Sequence, residues 1–231
     1  MPILPTNDAI SEESRNFFRL VYTWMFVGLM LSGVTAFGIY ATPDLSKAII
    51  GTQPVFYGLL ILELILVFAL ARLMNSLSVG MAIFLFLFYC FVSGLTFSII
   101  FFVYQMGSIV TIFFVTAAVF IVMAVYGYTT DHDLTSFGHV LLFGLLGLIL
   151  TSVVNLFLHS PVIDWVSSVA GVFIFTGLIA YDNQKLKKLD EAGIVEGSPQ
   201  EFKLAIYGAL DLYLDFVNLL FKLLQLFGKR R

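Results

Sequence analysis

The chain has 231 residues, 60% of them hydrophobic and only 12% charged, and its mean hydropathy is +0.99. A water-soluble domain carries roughly 25% charged residues, so a soluble fold is excluded. The formal net charge of -3 gives no reason to expect nucleic acid as a partner, and a single cysteine excludes a disulfide framework or a cysteine-based metal cluster.

The length suits roughly six to eight spans of about 20 residues each. The expected fold class is an all-α, polytopic membrane protein, a bundle of seven transmembrane helices with the last helix central. Residues 1–19 form a polar N-terminal segment and 20–227 a single transmembrane domain, with spans near 20–40, 55–72, 79–103, 109–126, 140–158, 165–181 and 204–227. Residues 228–231 make a basic tail.

Met1 to Ser14 is polar and acidic, without the basic stretch and short apolar core of a removable signal peptide. From Leu20 to Tyr40 there is no charge, and Gly28, Gly33 and Gly38 are read as a small-residue face for a neighbouring helix. Thr42, Pro43 and Asp44 open a loop running to Pro54. The second span follows, with Glu63 inside it and Arg72 closing it. Leu73 to Thr130 contains no Asp, Glu, Lys or Arg, so two helices must share it, with the break at Tyr104 to Ser108. Cys90 lies in this run as a lipid-facing or packed small hydrophobe. A loop is expected from Gly127 to Gly138, carrying Asp131, His132 and Asp133. Span five ends at His159, Ser160 and Pro161, a connection short enough to make spans five and six antiparallel neighbours. The longest polar segment is Asp182 to Lys203, with Lys185, Lys187, Lys188 and Lys203.

Arg15 and Arg19 favour a cytoplasmic N-terminus, and six crossings then bring the lysine-rich segment to the same side. A seventh full crossing would put Lys229, Arg230 and Arg231 outside, against the positive-inside tendency, whereas a re-entrant last helix would keep them in the cytoplasm. The side of the C-terminus stays open at this stage.

An ionisable side chain at the bilayer centre costs about 2.5 to 3.5 kcal/mol, so each needs a partner, a wet cavity or a proton. On the last helix Tyr207, Asp211, Asp215, Asn218 and Lys222 recur at four, four, three and four residues, which aligns them on one face. Asn and Gln would suffice to glue helices together; two carboxylates point to function. Asp182 ends span six, as an interfacial residue in water or as a partner of Asp215. If those two meet in a dry site, both cannot easily carry charge and they share a proton. Glu63 and Arg72 are nine residues apart on one helix, too far along its axis to pair directly. Arg72 is either a snorkelling end residue or a counter-charge for an acid at its own level. His132, His139 and His159 lack metal-ligand spacing and are assigned structural roles, and the Asp131 cluster lacks the glycine and terminal glutamate of a calcium loop. No fixed metal site and no cofactor is expected.

Gly177-Leu178-Ile179-Ala180-Tyr181-Asp182-Asn183-Gln184 and Ala209-Leu210-Asp211-Leu212-Tyr213-Leu214-Asp215-Phe216-Val217-Asn218-Leu219-Leu220 resemble the paired motifs of the Bax inhibitor-1 family, also called the transmembrane Bax inhibitor motif family. Tyr22-Thr23-Trp24-Met25-Phe26-Val27-Gly28-Leu29 is similar to its bacterial branch, and the likeness runs through essentially the whole chain. The resemblance implies a pH-sensitive calcium leak with a central last helix. By motif Asp182 and Asp215 are the gating pair, and Arg72, by its position late in the second helix, is the charge that holds the closed state. Asp211, Glu63 and Asn218 would line the route of Ca2+, oxygen donors suited to a hard divalent ion. The implied setting is a bacterial inner membrane, with Ca2+, protons and the bilayer as partners and a monomer as the working unit.

Two other classes compete. An intramembrane aspartyl protease also pairs a Tyr-Asp helix with a second aspartate, but needs Gly-x-Gly-Asp where this chain has Leu212-Tyr213-Leu214-Asp215; no enzyme activity is therefore expected. A non-conducting regulator that binds a membrane protease or a stress-pathway partner would need no ionisable core.

Overall fold

The computed structural model of the protein describes residues 7–74, 76–193 and 195–231, with side chains from residue 16 onward. The first six positions of the polar N-terminal segment, and the side chain of Arg15, lie outside the described residues. Among the described residues the elements are α1 (Asn7–Ala41), α2 (Pro43–Ile49), α3 (Gln53–Leu73), α4 (Val79–Phe97), α5 (Ile100–Val103), α6 (Met106–Thr129), α7 (Thr135–Leu158), α8 (Pro161–Glu191) and α9 (Pro199–Phe227). Among the described residues seven stretches are long and apolar enough to cross a membrane: Asn16–Ala41, Gln53–Leu73, Val79–Val103, Met106–Thr129, Thr135–Leu158, Pro161–Glu191 and Pro199–Phe227. Phe68, Phe143, Phe157 and Phe173 are each at least 70% exposed. Side chains of that size spread over a whole surface suit hydrocarbon, not water. The chain is an all-α integral membrane protein.

Contacts divide the chain into two compact units, residues 1–102 with 186–211 and residues 103–185 with 212–231. In the first, α4 packs on both α1 and α3. The approach to α1 depends on small residues: a Cβ on Gly28 would come 2.9 Å from the Cys90 sulfur, and one on Gly94 would press on the Ser32 carbonyl and Thr35. Gly28-x-x-x-Ser32 thus faces Cys90-x-x-x-Gly94, a small-residue crossing of the kind that membrane helices use. Gly33 and Gly38 take no part, since nothing lies within 4 Å of either position. The reason is spacing, because steps of five turn successive glycines about 140° apart instead of aligning them.

Pro43 to Ile49, expected as loop, is a short helix with Pro43 at its start, Asp44 in its first turn and Lys47 in its last, each residue matched to its place in a helix. The polar connection before α9 turns on Gly193 (φ 88°) and Gly197 (φ 71°), a region that a side chain rarely enters. Ser198 then caps α9: its Oγ accepts from the Glu201 amide at 3.1 Å, while the Glu201 carboxylate accepts from the Gly197 amide at 2.6 Å.

The second unit contains α6, α7, most of α8 and the C-terminal half of α9. Gly127 and Gly138 are not loop residues. They lie inside α6 and α7, and the connection shrinks to residues 130–134. Both are contact points with α8: a Cβ on Gly127 would overlap the Ala180 carbonyl, and one on Gly138 would overlap the Tyr181 ring. The turn from α7 to α8 is closed by Asn155, whose Oδ1 accepts from the Ser160 amide at 2.9 Å and whose Nδ2 donates to the Ser160 carbonyl at 3.3 Å and to Asp164. His159 caps α7 in the left-handed region, at φ 49°.

Beyond α9 the tail is bonded through its backbone to the α5–α6 junction. The Gln105 amide donates to the Lys229 carbonyl at 2.9 Å, the Arg231 amide to the Val103 carbonyl at 3.0 Å, and the Lys229 amide to Ser108 Oγ at 3.0 Å.

Candidate functional site

The seam between α8 and α9 in the second unit is where the sequence motifs gather. Ser168 Oγ donates to Gln225 Oε1 at 2.7 Å, and a Cβ on Gly171 would meet the Lys222 side chain at 2.8 to 3.0 Å. Three residues forward on α8 thus match three residues back on α9, an antiparallel register. Carried further, it sets Asp215 level with Leu178, so that Asp182 lies one turn beyond, about 6 Å along the axis at 1.5 Å per residue. At 100° per residue, Asp182 falls within about 20° of Gly171 on α8, and Asp215 within about 20° of Lys222 on α9. At ideal helical geometry that register directs both aspartates toward the seam.

Their surroundings differ. Asp215 is 5% exposed, and Phe216 beside it is held edge-on by Phe113 and Phe120 of α6, with ring centres 5.5 and 5.8 Å away. Asp182 retains 14% exposure and has the Lys185 ammonium 3.9 Å away on its own helix. From sequence Lys185 was read only as one charge of the lysine-rich segment, although its three-residue spacing from Asp182 was legible.

The rest of the α8 motif supports this stretch of helix. Gln184 accepts from the Leu134 amide at 2.8 Å and donates to the His132 carbonyl at 2.7 Å, fastening the 130–134 connection to α8. Asn183 is fully buried and donates to the Ile179 carbonyl at 2.7 Å. Gly177 leaves room for Leu141 and Phe137 of α7. On α9, Asn218 donates to the Leu214 carbonyl at 2.8 Å, within its own helix.

The remaining candidates belong to the first unit. Asp211 is half-buried on α9, on the same face as Asp215 one turn earlier. Glu63 is half-buried on α3 and accepts a hydrogen bond from the Thr96 hydroxyl of α4, a partner that no sequence spacing announced. Arg72 is exposed in the last turn of α3.

Seven long apolar helices among the described residues define a polytopic helical membrane protein. The chain belongs to the Bax inhibitor-1 family: the family profile described as inhibitor of apoptosis-promoting Bax1 matches residues 14–231. It is 39% identical to the inner membrane protein YbhL of Escherichia coli K12 over the whole of both chains. It is also 39% identical to an uncharacterized protein of Borreliella burgdorferi, over 93% of this chain and 92% of that one. A third relative, the uncharacterized protein RP147 of Rickettsia prowazekii, is 35% identical over 97% of this chain and 94% of its own.

Proposed function

We propose that this protein is a pH-sensitive leak for Ca2+ and related cations in a bacterial inner membrane, gated by a proton shared between Asp182 and Asp215. What supports the reading is the α8–α9 register at Ser168–Gln225 and Gly171–Lys222, whose ideal extension would bring the two carboxylates about one turn apart, where they repel when both are ionised. With Lys185 beside it, Asp182 holds the charge; Asp215, more deeply buried, holds the proton. Loss of that proton adds like-charge repulsion across the seam and favours a looser state, whose population the proton sets.

In this reading Asp211, Glu63 and Asn218 contribute oxygens to the ion route and Arg72 supplies closed-state counter-charge. In this reading the last helix is the central one, and among the candidate spans it is the most buried. The N-terminus lies in the cytoplasm, the protein works as a monomer, and it catalyses no reaction. The inner membrane is the stated location of the E. coli relative.

The test is Ca2+ flux into liposomes containing only this protein, measured across pH. Wild type passes more Ca2+ as pH rises; Asp215→Asn, which cannot lose a proton at that position, has a flattened profile. An unchanged profile in Asp215→Asn would refute the shared proton.

A further inference from the structure

The tail after α9 carries Lys229, Arg230 and Arg231, all exposed, on a backbone that is tied down. The Lys229 amide donates to Ser108 Oγ at 3.0 Å, and the Lys229 carbonyl accepts from the Gln105 amide at 2.9 Å. The Arg230 carbonyl accepts from Gln105 Nε2 at 3.3 Å, and the Arg231 amide donates to the Val103 carbonyl at 3.0 Å. Gly228 permits the approach, since a Cβ there would come 2.7 Å from the ring of Tyr104, which is itself buried. Basic residues that served only as solvated charges would need no such fastening.

Neither Lys229 nor Arg230 forms an ion pair among the described residues. The sequence offers none nearby: residues 73–130, on which the tail is laid, hold no Asp or Glu, and the last acid of α9 is Asp215, fourteen residues before Lys229. The patch lies at a membrane boundary, because the spans Val79–Val103 and Pro199–Phe227 end there and Met106–Thr129 begins there. Phe227 (69% exposed) and Val103 (38% exposed) add apolar surface beside it.

We propose that Lys229 and Arg230 form a binding site for the headgroup of an anionic phospholipid, whose acyl chains lie along Phe227 and Val103. The level is where a bilayer carries its phosphates, and the charge is of the sign that attracts anionic lipid. Arginine supplies a planar fork of donors for phosphate oxygens and lysine a point charge. A backbone held in place beforehand lowers the ordering cost of binding. The site requires no conduction, so it goes beyond the leak reading and is tested apart from it.

The experiment uses the full chain purified in detergent and measures retention of phosphatidylglycerol against phosphatidylcholine of the same acyl chains by native mass spectrometry. Wild type should prefer phosphatidylglycerol at least about tenfold. Lys229→Gln and Arg230→Gln should each weaken its binding about fivefold, which is about 1 kcal/mol, and leave phosphatidylcholine unchanged. Ser108→Ala removes the acceptor of the Lys229 amide but no charge, and should weaken phosphatidylglycerol severalfold, a loss that charge alone would not produce. Lys47→Gln, an exposed lysine on α2, should behave as wild type. Equal retention by wild type and the double variant Lys229→Gln/Arg230→Gln, or an equal loss in Lys47→Gln, would overturn the site. Displacement of the lipid by millimolar inorganic phosphate would overturn the assignment to a phospholipid.

Discussion

Gly127→Ala is the sharpest probe of the packing that positions the α8 motif. The added methyl on α6 would overlap the Ala180 carbonyl, two residues before Asp182. An extra methylene in a well-packed core costs about 1 to 3 kcal/mol, lower when a flexible side chain can move aside. Here the obstacle is helical backbone, so the cost should be near 3 kcal/mol. At roughly 2 to 4 °C per kcal/mol for a chain of this length, the melting temperature should fall by about 6 to 12 °C. Gly147→Ala on α7 is the control, because nothing lies within 4 Å of that position; it should be neutral or gain up to about 1 kcal/mol from helix propensity. The assay is loss of the monodisperse peak on heating in detergent, run on both variants and wild type. Equal melting of Gly127→Ala and Gly147→Ala would show that α6 and α8 are not in backbone contact at Gly127 and Ala180.

Four further outcomes are expected. Removing the positive charge beside Asp182 with Lys185→Gln makes ionisation of the pair harder, so the rise of flux should move to higher pH. The pair is partly solvent-screened and worth at most about 1 kcal/mol, so the move should be under about 0.7 pH unit; a move to lower pH would contradict the assignment of charge to Asp182. His159→Gly should raise stability by up to about 1 kcal/mol in a melting assay, because glycine enters the left-handed region without strain. Gln184→Ala should speed hydrogen exchange at the Leu134 amide, which loses its acceptor, while amides in the middle of α7 stay protected. Thr96→Val removes the donor to Glu63 and should cost about 1 to 3 kcal/mol, with Thr96→Ser close to wild type.

How much of this was legible in the sequence follows from the physics of each signal. Seven membrane helices were readable because lipid demands long apolar runs, and few other constraints leave 58 residues from Leu73 to Thr130 without a formal charge. The stripe from Tyr207 to Lys222 was readable because helical spacing is local. Glycine was not: the same residue breaks a soluble helix and lets membrane helices touch, so Gly127 and Gly138 read as loop while serving as contacts. Partners far apart in the chain were also invisible, among them Thr96 for Glu63, Gln184 for the 130–134 connection, and Ser168 with Gly171 for the end of α9. The α8–α9 register needed two such contacts, and neither could be inferred from motif residues alone.

The backbone bonds that tie residues 229 and 231 to Val103, Gln105 and Ser108 also restrict how the last helix can move. A piston stroke along its axis would have to break three hydrogen bonds at once, whereas swinging or twisting about that anchored end leaves them intact. Any motion of α9 would thereby be channelled into pivoting, with an amplitude that grows with distance from the anchored end, from Gln225 through Lys222 and Asn218 toward Asp215.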